Sequence, residues 1–97
     1  MYQLIIRPRA IKMIQEAHDW YEKQQPGLGD RFLSELYQCY DKIESIPEAY
    51  AKIKSNFRQA IFPVFPYVVV FEIHKNIVVV FSVIHTSWNP AKKFKKK

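Results

Sequence analysis

Two runs, PYVVVFEI and NIVVVFSVI, follow one another after Phe65 and are joined only through His74, Lys75 and Asn76. Valine, isoleucine and phenylalanine in such density lose side-chain freedom in a helix and pack well on a pleated surface, so both runs read as strands. The short polar join makes them a hairpin. Their hydrophobicity is near-continuous rather than alternating, which implies burial on both faces, or one face against helices and the other under a partner. The hairpin therefore belongs at the centre of a sheet, and the rest of the chain must supply its cover.

The N-terminal half has the right pattern for that. Tyr2 to Ile6 is a short strand candidate closed by Arg7 and Pro8, and proline suits the first turn of a helix because its missing N–H would be unpaired there. Ala10, Met13, Ile14, Ala17, Trp20, Tyr21 and Gln24 recur with helical spacing, while Lys12, Glu16, Asp19 and Lys23 fall on the other face. This predicts an amphipathic helix with Trp20 in the core and His18 in solvent. QQPGLGD follows: Pro26 stops the helix, and Gly27 and Gly29 can take positive φ, so the chain turns back in a few residues. Phe32, Leu36, Cys39, Ile43 and Ile46 then alternate by four and three until Pro47, giving a second helix antiparallel to the first.

From Ala49 the period shortens. Tyr50 to Lys54 is a candidate strand and Asn56 a turn; Phe57, Gln59 and Ile61 share one face of the next strand, with Arg58, Ala60 and Phe62 on the other. Pro63 and Pro66 confine its end to an edge or a connection. The predicted fold is α+β, in the order β-α-α-β-β-β with one further short strand: a helical hairpin packed on one face of a small, mostly antiparallel, twisted sheet. The two helices cover one face only, and the other is expected to be exposed and functional.

At 97 residues the chain makes a single domain, taken as residues 1–90 with a basic tail at 91–97. No apolar run reaches the roughly 18 residues of a membrane span, and MYQLIIRPRA lacks the apolar core of a signal peptide. One cysteine, Cys39, forms no internal disulfide, which agrees with a reducing, cytoplasmic setting. The formal net charge of +6 is unevenly spread, since residues 10–48 hold eight acids against four bases and residues 49–97 hold nine bases against Glu72 alone. A basic surface favours a polyanion or an acidic protein partner.

Phosphate-binding glycine loops, metal-ligand spacings and nucleophile elbows are missing from the sequence, so no metal or cofactor is expected. The candidates for chemistry sit at the ends of the strands. His85 closes the last apolar run beside Thr86, Ser87, Trp88 and Asn89; it is either a general acid or base, or a residue that caps the strand by bonding to main chain. Arg58 stands within a strand, where it either pairs with Glu72 across the sheet or binds phosphate through its planar fork. Lys52 and Lys54 would add a positive strip on one strand face. With Tyr50, Phe57 and Tyr67 nearby, these bases resemble an RNA-contacting surface.

WYEKQQPGLGDRFLSEL at the helical hairpin, then Arg58, then FPYVVVFEI, then VVVFSVIHTSWNP together resemble the RelE/ParE superfamily of bacterial type II toxin–antitoxin toxins, over roughly residues 2 to 90. The resemblance implies a small cytoplasmic toxin that inhibits growth until an antitoxin wraps it through its C-terminal segment, and the basic charge of this chain leads us to expect an acidic one. It leaves two mechanisms open. RelE-like members cleave ribosome-bound messenger RNA without a metal, the ribose 2′-OH attacking the adjacent phosphate; ParE-like members poison DNA gyrase and are not nucleases. By position, Arg58 matches the family's arginine before the FPY segment and His85 the histidine that opens the last polar cluster, so these two are the catalytic candidates. Lys52, Lys54, Tyr67, Trp88, Lys92 and Lys93 are candidates for nucleic-acid or partner binding. The chain departs from the family at Trp88, which stands where relatives commonly carry arginine in His-x-x-Arg-x-Pro; that removes a cation, and Lys92 and Lys93 are the nearest replacements. An alternative is a degraded homologue that only binds an antitoxin.

Overall fold

The computed structural model describes residues 2–87. Strand β1 (Gln3–Ile6) leads into helix α1 (Pro8–Gln24), which turns back into α2 (Leu28–Ser45). A single 3₁₀ turn at Pro47–Ala49 precedes β2 (Lys52–Lys54), β3 (Phe57–Ile61), β4 (Tyr67–His74) and β5 (Ile77–His85). The five strands form one sheet in the order β1-β5-β4-β3-β2. The two apolar runs, β4 and β5, thus lie innermost, and the meander β2 to β5 is antiparallel. Only β1 runs parallel, pairing Gln3 to Ile6 with Ile77 to Val80; the helical hairpin carries the chain from this edge to β2 at the other, and the meander returns to β5. Among the described residues no helix is long and apolar enough to cross a membrane.

Helix α1 starts at Pro8 with Arg7 in extended backbone before it. The turn between the helices uses its two glycines differently. Gly27 takes φ +89, where an L side chain is strained. At Gly29 the need is space, since a Cβ there would lie 2.6 Å from the His18 carbonyl oxygen and 2.7 Å from its ring. Glu22 closes the turn by accepting the Gly27 N–H at 2.8 Å and the Gly29 N–H at 3.0 Å.

The main core lies between the hairpin and the sheet. Ala10 and Ala17 of α1, and Phe32, Leu36, Cys39, Tyr40 and Ile43 of α2, are buried against Ala60, Val69, Phe71, Val78, Val80 and Val83. Each large apolar side chain buried this way contributes on the order of 1.5–3 kcal/mol of transfer free energy. Glu35 is buried on the same helix, and its carboxylate accepts the N–H groups of Val64 at 3.1 Å and Phe65 at 3.3 Å, fastening the β3–β4 connection to α2.

The opposite sheet face differs from the expectation of an open surface. Phe57, Val68, Val70, Phe81 and Ile84 form a second buried cluster there, with Met13 packed against it. The rings of Phe57 and Phe81 approach to 5.0 Å, and the Arg9 guanidinium lies 5.0 Å from the Phe81 ring centre. The cause is a bulge: Phe71 pairs with Val80 and Val70 with Ser82, which leaves Phe81 as an extra residue that fills this side. Trp20 also departs from its expected place in the core. It is 58% exposed, because Ala17 and Tyr21 face the sheet and position 20 falls at the margin of that stripe.

Candidate functional site

β1 pairs with β5 only as far as Val80, after which α1 runs beside the remainder of β5. Between them opens a groove of about 420 Å³ lined by Met13, Glu16, Trp20, Tyr21, Tyr67 and His85, with Ala17 and Val83 at its base. Tyr67 and His85 are opposite one another in the β4–β5 ladder, and their rings meet edge to face at 5.3 Å. The open end of the β4–β5 hairpin thus brings these two candidates together.

The groove's polar groups are mainly donors. The Ser87 N–H donates to His85 Nδ1 at 3.1 Å, and Ser87 Oγ lies 2.8 Å from the same nitrogen. With Nδ1 accepting, neutral His85 carries its proton on Nε2. The strand-capping role and a place in the groove therefore coexist in this residue. Burial pushes the Tyr67 phenol above its usual range, helped by the neighbouring Tyr21 and the hydrogen bond between them. Burial likewise raises Tyr21, with the bond to Tyr67 acting the other way. Both phenols are protonated at neutral pH. Beside them stand the exposed Trp20 indole, 5.1 Å from Tyr21, and the Glu16 carboxylate. Such a surface suits hydrogen bonding and apolar contact with a polypeptide, whereas a carboxylate at its rim opposes a phosphate.

Arg58 is elsewhere. Its strand register, opposite Phe71, puts it on the helix-covered side, and its guanidinium donates to the Glu48 carbonyl at 3.3 Å and to the Tyr50 carbonyl. Glu72 follows Phe71 and so faces the other side of the sheet, which removes the cross-strand ion pair as the role of Arg58; Glu72 instead lies 3.8 Å from His74. The backbones of Arg58 and His85 are two strands and four positions apart, roughly 16 Å at ordinary strand spacings. Lys52 and Lys54 do not form the expected strip either. A register shift sets Lys52 opposite Arg58 but Lys54 opposite Phe57, and those two partners face opposite sides. Trp88, Lys92 and Lys93 lie outside the described residues.

His18 is half-buried rather than solvated. Nδ1 lies 3.1 Å from Asp19 and Nε2 3.4 Å from Asp30, so the ring bridges the two helices. His18, Glu22 and Asp30 bring ligand atoms within 4.8 Å of one another, but Glu22 is already engaged by the turn and His18 by its two aspartates. Glu35, Glu16 and Trp20 are not among the site candidates that the sequence offers. Glu35 had a readable signal, since it falls on the Phe32–Leu36–Cys39 stripe where an acid is out of place.

The order of elements and the packing of the hairpin define the fold of small toxin proteins found in toxin–antitoxin pairs. Two solved structures share it: the chromosomal ParDE toxin–antitoxin system from P. aeruginosa, with a TM-score of 0.77 at 12% identity over 88% of this chain and 96% of that one, and the isolated E. coli RelE toxin, with a TM-score of 0.60 at 18% identity over 96% and 93%. Identities this low speak for the fold alone. No curated protein matches in sequence. The family described as ParE toxin of type II toxin–antitoxin system, parDE, matches residues 4–90, and the chain belongs to it. It is the toxin component of such a module, whose other half is an antitoxin.

Proposed function

We propose that this toxin arrests growth by gripping a protein target, DNA gyrase, rather than by cutting RNA. The observation that carries the reading is the separation of Arg58 from His85. Cleavage by a ribose 2′-OH needs a cation on the phosphate and a proton-transfer group within hydrogen-bond reach of the same reacting atoms. Here the arginine is held by two main-chain carbonyls, and its backbone and that of the histidine are roughly 16 Å apart by strand spacing. The groove that does hold His85 presents protonated donors, an indole and a carboxylate, a composition suited to a protein surface. Membership in the ParE family supports the same direction.

The test is to express the toxin alone in cells and follow DNA and RNA together. Double-strand breaks with intact messenger RNA, and rescue by a small acidic protein encoded beside the toxin, are expected. Cleaved ribosome-bound message with undamaged DNA would overturn the reading and favour the nuclease.

A further inference from the structure

The groove between α1 and the open end of β5 holds a formal charge that no described residue balances. Glu16 is the only Asp, Glu, Lys or Arg among the described residues that line it. Its side chain is exposed, and among the described residues no ion pair or hydrogen bond engages the carboxylate. The helix that supplies it belongs to the acidic part of the chain, since residues 10–48 carry eight acids against four bases. The groove thus has a negative rim on a protein whose net charge is +6.

The place of Glu16 on α1 sets an aromatic platform beside that charge. Trp20 lies one turn further along the helix, so the two side chains are neighbours on one face. The indole is 58% exposed and meets Tyr21 with 87° between the ring planes. An edge contact of this kind occupies at most one face of the indole. Tyr21 and Tyr67 also line the groove, and a phenol oxygen can accept a hydrogen bond as well as donate one.

A cation complements this arrangement twice over. Ring faces attract it within about 6 Å of the ring centre, and a carboxylate without a partner accepts charge-assisted hydrogen bonds. A guanidinium does both at once, lying flat on the indole while its N–H groups meet the carboxylate, whereas a lysine ammonium is a compact, strongly hydrated point charge. An apolar anchor would desolvate Glu16 without pairing it, and an anionic one would be repelled. We propose that the groove takes an arginine side chain of the protein it grips, with the guanidinium laid over Trp20 and paired with Glu16. This rests on the groove being the protein-contact site and specifies what the target brings to it.

The test uses purified full-length toxin and follows the Trp20 indole N–H resonance, assigned by its loss in Trp20→Phe, while N-acetyl-arginine amide is added. The resonance should move saturably. N-acetyl-citrulline amide, similar in shape but uncharged, should bind at least roughly tenfold more weakly, and Glu16→Gln should weaken arginine amide by a similar factor. Glu16→Gln toxin should also need roughly tenfold more protein to inhibit gyrase supercoiling at unchanged Tm, with Glu16→Asp recovering part of the loss. An indole resonance that stays in place, or responds equally to the citrulline probe, overturns the inference. So does Glu16→Gln toxin that inhibits at the wild-type concentration. The probe titration contains no gyrase, so arginine binding alongside supercoiling that wild-type toxin leaves unaffected would sink the target reading and leave the arginine site standing.

Discussion

Glu35 on α2 and Phe65 in the β3–β4 connection, 30 positions apart, are joined by a buried hydrogen bond of 3.3 Å from the Phe65 N–H to the carboxylate, and the same oxygen takes the Val64 N–H. One acid thus fixes the segment that delivers Tyr67 to the groove. Glu35→Ala leaves two main-chain donors without their partner, at a cost of about 2–4 kcal/mol. Glu35→Gln keeps an acceptor and should lose about half as much or less. Urea unfolding of the two variants checks the order.

The two glycines of the helical turn should fail differently. Gly29→Ala drives a methyl into the His18 carbonyl at 2.6 Å, main chain that gives only if the helices separate, so a loss of more than about 2 kcal/mol is expected. A Cβ at Gly27 meets no atom within 4 Å, and only its φ of +89 is strained, so Gly27→Ala should cost about 1–2 kcal/mol. Thermal unfolding of both separates the mechanisms.

His18 gives the hairpin a pH dependence of defined sign. Its pKa is raised, first by the hydrogen bond to Asp19, opposed by burial and aided by Asp30. A folded-state pKa above the unfolded value stabilises fully below about pH 6.5 and ceases to do so as pH rises through the folded pKa. Wild type should therefore exceed an Asp19→Asn, Asp30→Asn double variant in Tm by most in mildly acidic buffer, with the gap narrowing towards about pH 8.

Arg58 should behave as a structural residue. Arg58→Ala removes two donors from the Glu48 and Tyr50 carbonyls and should lower stability by about 1.5–3 kcal/mol. Gyrase inhibition per folded molecule should stay near wild type. Denaturant titration and a supercoiling assay on the same preparation distinguish this from a role in the target site.

Much of this architecture was readable from residue pattern, and the exceptions have physical causes. The β4–β5 hairpin and the stripe from Phe32 to Ile43 followed from apolar spacing alone. Strand alternation also grouped Arg58 with Ala60 and Phe62 and apart from Phe57. What it did not show was which of those two sides the helices cover, and Arg58 lies on the covered one. The bulge at Phe81 and the register shift at Lys54 carry no glycine or proline to mark them, so the second buried cluster and the broken lysine strip appear only in the ladder. The groove beside Tyr67 and His85 also needs α1 against the open end of β5, which one sequence does not display. Positions 17, 20 and 21 share one apolar arc, and only packing decides that Trp20 lies at its margin.

The groove beneath Trp20 and His85 is expected to grip gyrase by contact. The most direct measurement is supercoiling by purified gyrase titrated with wild-type toxin and with Trp20→Ala, a change at an exposed position that leaves the core untouched. Wild type should inhibit, and loss of the indole from the middle of a protein contact should raise the inhibiting concentration by roughly thirtyfold or more. Full inhibition by Trp20→Ala at the wild-type concentration, or supercoiling unaffected by saturating wild-type toxin, would contradict it.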